Sequence, residues 1–240
     1  MIELIDVSKQ FGDKVAVRDL NLKVGGGELY AFLGPNGAGK TTTIKLLVGL
    51  LTPTAGRVLV GGVDMNQNPV AAKRLIGYVP DQPYLYEKLT GREFLGFIAR
   101  IYGVEAGEEK IEQAIRTFGM QGYIDLLIES YSHGMKQKVV FSAALIHEPR
   151  LLVVDEPTVG LDPASVRLLK QVLREQVGRG ATAFVSTHVL SFAEDVADRV
   201  GIISRGTLIA EGTIPELRRR AGAERRLEDV FLEITREAGS

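Results

Sequence analysis

The chain has 240 residues, 45% of them apolar and 25% charged, which is enough to bury a sizeable core as one large domain or a domain with a subdomain. Its 29 lysines and arginines almost balance 30 aspartates and glutamates, so no global field marks nucleic acid or an anionic membrane as partner, and nucleic-acid binding is not expected. The absence of cysteine excludes a disulfide framework, a thiolate metal site and a cysteine nucleophile, and fits a reducing compartment.

The first residues, Met1-Ile2-Glu3-Leu4, lack the basic-then-apolar pattern of a secretory leader, so none is expected. No apolar run reaches the roughly 18 uncharged positions that cross a bilayer, so work at a membrane requires a span supplied by another chain. Phe11 and Gly12 fall in the turn of a first hairpin, after which Val15 to Val24 alternates apolar and polar positions as a half-buried strand does. Leu29 to Leu33 and Leu151 to Val154 are short continuous apolar runs suited to buried parallel strands, and Ala183 to Val185 and Val200 to Ile203 read likewise. The last of these is expected to pair with Thr207 to Ala210 around the Arg205-Gly206 turn. Helical spacing covers Thr42 to Leu50, Glu93 to Tyr102, Glu108 to Phe118, Gly134 to Ile146, Ala164 to Val177 and Val189 to Ala197. Asp162-Pro163 supplies a cap and an N1 proline to the fifth of these helices.

Between the Leu29 to Leu33 strand and the following helix runs Gly34-Pro35-Asn36-Gly37-Ala38-Gly39-Lys40-Thr41, continued by Thr42. A glycine-rich turn in that context lets successive backbone N–H groups converge on phosphate oxygens at the positive end of a helix. Lys40 then reaches the terminal phosphates, and the Thr41 hydroxyl is offered to Mg²⁺. A glycine turn without a ligand is the competing reading, and the strand–loop–helix context weighs against it.

Leu151 to Val154 delivers Asp155 and Glu156 at its C-terminal end, where ligands of open parallel sheets collect. Asp155 is suited to hold Mg²⁺, directly or through water, and Glu156 to orient and polarise an attacking water. The fold expected from these signals is α/β: a P-loop NTPase core with a parallel sheet, an N-terminal antiparallel β subdomain and an inserted helical subdomain. The whole of 1–240 reads as one domain, with 1–91 and 148–212 forming the core with its β subdomain, 92–147 the helical part and 213–240 a C-terminal helical extension.

These motifs, in this order, resemble the ATP-binding subunits of ABC transporters over nearly the whole chain. Tyr131-Ser132-His133-Gly134-Met135-Lys136-Gln137 resembles the family signature opening a helix; Gly160-Leu161-Asp162 resembles the D-loop, and Ser186-Thr187-His188 the switch histidine after a strand. The resemblance implies a head-to-tail pair of nucleotide domains, homodimeric or with a paralogue. Each ATP then lies between the phosphate loop of one domain and the signature helix of the other. It implies that Ser132 and Gly134 contact the γ-phosphate across that interface, that Asp162 bridges to the opposing subunit, and that His188 holds Glu156 and the water in register. Phe11 matches the aromatic that stacks on adenine, although a turn aromatic can also pack on its own sheet.

Two positions depart from the family pattern. Asp81, after Pro80, stands where many members carry glutamine, so either Asp81 or Gln82 serves as the sensor of Mg²⁺ and water, with Asp81 favoured as a hard-cation ligand. His133 and Met135 replace the more usual glycine and glutamine. The signature segment and the terminal Leu227-Glu228-Asp229-Val230-Phe231-Leu232 resemble the ATPases of type-2 ABC exporters, including drug-resistance pumps. That resemblance implies an ATP-hydrolysing subunit on the cytoplasmic face of the membrane, bound to a separate permease near Tyr84, Leu85 and Tyr86. A soluble ABC ATPase in assembly or nucleic-acid maintenance is the alternative. Arg218-Arg219-Arg220 and Arg225-Arg226 read as a solvated basic face, and Leu227, Val230, Phe231 and Ile234 as one apolar helical face.

Overall fold

The computed structural model describes residues 1–220 and Phe231. The strands are β1 (Ile2–Phe11), β2 (Lys14–Val24), β3 (Leu29–Leu33), β4 (Ala55–Val60), β5 (Val63–Asp64), β6 (Ile76–Val79), β7 (Leu151–Asp155), β8 (Thr182–Thr187), β9 (Arg199–Ser204) and β10 (Thr207–Gly212). The helices are α1 (Lys40–Leu47), α2 (Pro69–Arg74), α3 (Gly91–Tyr102), α4 (Gly107–Phe118), α5 (His133–Leu145), α6 (Pro163–Gly178), α7 (Leu190–Val196) and α8 (Ile214–Arg220).

The strands form two sheets, an antiparallel one in the order β2-β1-β4-β5 and a mixed one in the order β10-β9-β3-β8-β7-β6. In the second sheet β9, β3, β8, β7 and β6 run parallel, and β10 closes the edge as the antiparallel partner of β9. Every residue of β3, β7 and β8 is buried, as central strands covered on both faces require. Alternation along β3 separates two cores. Tyr30 and Phe32 join Phe184, Ile44 and Leu47 beneath the antiparallel sheet, where Ile2, Leu20 and Val24 complete the packing. On the opposite face Leu29, Leu152 and Val185 pack with Phe94 of α3, Ile115 of α4, Phe141 of α5 and Leu173 of α6.

Local chemistry sets the helix ends. Thr90 and Glu93 form a reciprocal capping box at the start of α3, and Gly103 ends it in the left-handed region at φ +64°. Asp162 and Pro163 open α6 as their types predict. The sequence reading overlooked β4, β6 and α2, and it began α1 two residues late. The six residues of β4 begin with three exposed ones, β6 has four residues and α2 six, all too short for a clear period.

Arg218 ion-pairs with Glu194 at 2.7 Å, so the basic stretch is tied to α7 at this point rather than wholly solvated. Phe231 packs on the small cluster of Ala193, Ile202 and Leu217. Arg225, Arg226, Leu227, Val230 and Ile234 lie outside the described residues. Among the described residues no helix is long and apolar enough to cross a membrane.

Phe184 stacks on Tyr30 at 5.6 Å between ring centroids and leans on Phe32 at 5.4 Å. Phe184→Ala is therefore expected to cost about 3–5 kcal/mol of unfolding free energy, read as a lower urea midpoint with an unchanged slope.

Candidate nucleotide site

The register of the parallel strands decides what meets what. Leu33 pairs with Thr187 and Asp155 with Ser186, so the segments leaving β3, β7 and β8 emerge side by side at one edge. The phosphate loop leaves β3, Glu156 follows β7 and His188 follows β8. Two glycines in the loop are fixed by space. A Cβ on Gly34 would stand 2.5 Å from the Ile203 carbonyl oxygen, and one on Gly39, at φ +111°, 2.7 Å from that of Ala16. Gly37, at φ +79°, turns the exposed rim formed with Pro35 and Asn36, and Ala38 packs inward.

Lys40 opens α1 and is only 6% exposed. Its Nζ donates to the carbonyls of Gly34 (2.7 Å) and Pro35 (3.3 Å) and pairs with Glu156 Oε1 at 3.2 Å. The other oxygen of Glu156 meets His188 Nδ1 at 2.9 Å and accepts the His188 backbone N–H at 3.4 Å. Glu156 itself has φ +45°, the left-handed region that is uncommon for a residue with a side chain, and its N–H is held by the Ser186 carbonyl at 3.0 Å. The carboxylate thus bridges a buried lysine and a half-exposed histidine.

Asp155 is fully buried. Its Oδ1 accepts the hydroxyl of Ser186, also fully buried, whereas Oδ2 has no hydrogen-bond partner. Burial raises its pKa above the usual carboxylate value; the Ser186 hydrogen bond pulls it down, the charges of Asp81 and Glu156 push it further up, and the nearby Thr41 hydroxyl pulls it down. Asp81 is therefore close enough to act on Asp155. It is exposed and accepts the Gln82 N–H at 2.8 Å, while the Gln82 side chain is exposed.

The remaining residues singled out in the sequence form separate features. Ser132 caps α5 by accepting the Met135 N–H at 3.3 Å, and Asp162 caps α6 by accepting the Ser165 N–H at 2.7 Å. Both are partnered locally. The segments nevertheless touch, because a Cβ on Gly160 would lie 2.9 Å from the His133 ring and one on Gly134 4.0 Å from Leu161. Phe11 is 47% exposed at the end of β1, just before the turn, with Lys9 Nζ 5.2 Å from its ring centre. Thr42 lies half-buried in α1. Sequence reasoning gave Ser186 no role, although it stood in the quoted Ser186-Thr187-His188 run; only the pairing of β7 with β8 brings it onto Asp155.

The donor set at Thr41 and Asp155 suits Mg²⁺. One hydroxyl and one carboxylate with a free buried oxygen offer hard ligands, and no group of three or more His, Cys, Asp or Glu side chains able to hold a metal occurs among the described residues. Mg²⁺ typically takes one or two protein oxygens and completes its shell with phosphate oxygens and water.

Comparison with known proteins gives the family and the fold. The family described as ABC transporter matches residues 17–159. The chain belongs to that family. It is 36% identical to the probable multidrug ABC transporter ATP-binding protein YbhF of Escherichia coli (strain K12), over 98% of this chain and 41% of that protein. The chain thus spans less than half of that relative's length. A solved ATP-binding subunit of an ABC transporter superposes with a TM-score of 0.93 at 34% identity, covering 98% of this chain and 99% of its own. The dimeric ATP-binding cassette MJ0796, in a post-hydrolysis state with ADP and phosphate, superposes with a TM-score of 0.80 at 25% identity, covering 89% of this chain and 99% of its own. The chain is thus an ATP-binding cassette domain with the α/β fold of that family.

The raised pKa of Asp155 has a consequence for stability. A carboxyl group whose folded pKa lies above its unfolded value stabilises the fold below the unfolded pKa, and that contribution is lost as pH rises through the folded pKa. Asp155→Asn, which removes the buried charge, is expected to melt higher than the parent at pH 8, with the difference shrinking as pH falls toward the carboxylate range. Thermal melts across pH check it; a gap that widens on acidification contradicts it.

Proposed function

We propose that this domain binds MgATP in the loop from Gly34 to Thr42, hydrolyses it in a head-to-tail pair with a second nucleotide-binding domain, and powers export through a separate membrane permease. The observation that carries this reading is the connected network Lys40–Glu156–His188 beside the orphaned oxygen of Asp155. The loop N–H groups and Lys40 bind the phosphates, competing with Glu156 for the lysine. Thr41 and Asp155 would hold Mg²⁺, which when bound would supply positive charge to the phosphates. Released from Lys40, Glu156 stays oriented by His188 and polarises the attacking water. Phe11 stacks on adenine, its exposed ring being free to do so.

Ser132 suits a role across the dimer interface. As an N-cap it uses an oxygen lone pair, so its own O–H proton stays available to a phosphate oxygen, and the first N–H groups of α5, Gly134's included, point the same way. Asp162 meets the opposing subunit in this reading. The dimeric MJ0796 cassette, itself bound to ADP and phosphate, supports the pairing. Export is supported by YbhF, whose name is that of a probable multidrug transporter component. Residues 92–147 act as the helical signature part, 1–91 with 148–212 as the core and 213–240 as the extension.

The permease surface lies at a groove of about 290 Å³ between core and helices, lined by Leu50, Pro80, Tyr84, Ile98, Tyr102 and His147. Tyr84 is 80% and Leu50 59% exposed, an apolar margin suited to an amphipathic cytoplasmic segment of a membrane subunit. In this reading the domain works at the cytoplasmic face, held there by its partner.

Glu156→Gln keeps the shape of the network but loses the base. It is expected to lower ATP turnover by roughly 100-fold or more and to accumulate an ATP-bound dimer. Size-exclusion chromatography in saturating MgATP reads the second effect, and a strictly monomeric variant contradicts the paired mechanism.

Asp81→Ala is expected to weaken the Mg²⁺ dependence of turnover more than Gln82→Ala, because Asp81 carries a charge that acts on Asp155 whereas Gln82 is neutral. Mg²⁺ titrations of both variants decide it, and an inactive Gln82→Ala beside an unaltered Asp81→Ala reverses the assignment.

A further inference from the structure

We infer that Ser186 is a positioning residue for the divalent cation, acting through Asp155. The inference rests on the reading of Asp155 as a cation ligand. Asp155 and Ser186 are directly paired across β7 and β8, both are fully buried, and the Ser186 hydroxyl donates to Oδ1. That bond fixes which oxygen is committed. Oδ2 is left buried and without a hydrogen-bond partner, as a cation site requires. Without the hydroxyl, the terminal torsion of the aspartate has a broad, roughly two-fold profile, and the two oxygens become interchangeable.

The same residue spaces the second carboxylate. The Ser186 carbonyl accepts the Glu156 N–H at 3.0 Å, so the side chain of Ser186 aims the cation ligand and its main chain anchors the following glutamate in the left-handed region. A side-chain change removes only the first of these. Groups that orient a metal ligand in this way commonly set metal affinity, while a hydrogen bond that merely satisfies a buried oxygen changes stability alone.

The test uses the full chain, Mn²⁺ as a spectroscopic stand-in for Mg²⁺, and a non-hydrolysable ATP analogue, with free Mn²⁺ read by electron paramagnetic resonance. Ser186→Ala is expected to weaken Mn²⁺ binding in the presence of the analogue roughly 10- to 100-fold, while analogue binding in EDTA changes less than about twofold. Ser186→Thr, which keeps the hydroxyl, restores near-parental Mn²⁺ affinity. If Ser186→Ala does not fold, the near-isosteric Ser186→Cys, a weaker donor, is read in the same way. Parental Mn²⁺ affinity in the alanine or cysteine variant, or equal losses with and without metal, overturns the inference. Asp155→Asn separates the two levels: if it too binds Mn²⁺ like the parent, the cation reading of the site fails, whereas if it loses Mn²⁺ and Ser186→Ala does not, only the positioning role fails.

Discussion

A buried ammonium must be paired, and the placement of Lys40 makes this the constraint around which the site is built. At 6% exposure the lysine has lost most of its water, and two loop carbonyls do not neutralise a full charge. Glu156 supplies the missing anion at 3.2 Å. This contact links three chain segments that are far apart in sequence, because the glutamate also engages His188. In the proposed reaction a phosphate group entering the loop takes over the pairing of the lysine and frees the glutamate. In the proposed reaction one residue therefore serves as counter-ion before nucleotide arrives and as base afterwards.

The parallel sheet makes this economy possible. Three fully buried strands, β3, β7 and β8, end in register, and each hands its next residues to the same edge. The apolar runs are thus more than core: their length and pairing set the spacing of the charged groups beyond them. The cost is visible in Asp155, whose buried carboxyl is harder to ionise than a free one. Such local destabilisation is tolerated where the surrounding core is large and where a bound cation can relieve it.

How much of this was legible in the sequence depends on the range of each interaction. The phosphate-loop motif is legible because its glycines, lysine and threonine stand within eight consecutive residues. The Asp155-Glu156 pair was legible because an apolar strand announces where it ends. His188 became legible through family resemblance, since a lone histidine after a strand has many ordinary uses. Ser186 was not legible at all, as its role exists only across the β7–β8 ladder. The strands β4 and β6 were missed because short or half-exposed strands leave no period to count, yet β6 is what carries Asp81 toward the carboxylates.

In the proposed pairing, one end of the site is completed by a second chain. Ser132 and Asp162 each accept one backbone N–H as a local cap and are exposed, so further hydrogen-bonding capacity remains on both. What the fold does supply is a physical link between them: the His133 ring lies against Gly160, where a Cβ would meet it at 2.9 Å, and Leu161 lies beside Gly134. A glycine at 133, the more usual family residue, would leave that gap unfilled. The departure from the family pattern therefore has a steric meaning here. The start of α5 and the loop that follows Glu156 are in contact, so in the proposed pair a shift at Glu156 bears on the helix that the same chain would present to its neighbour.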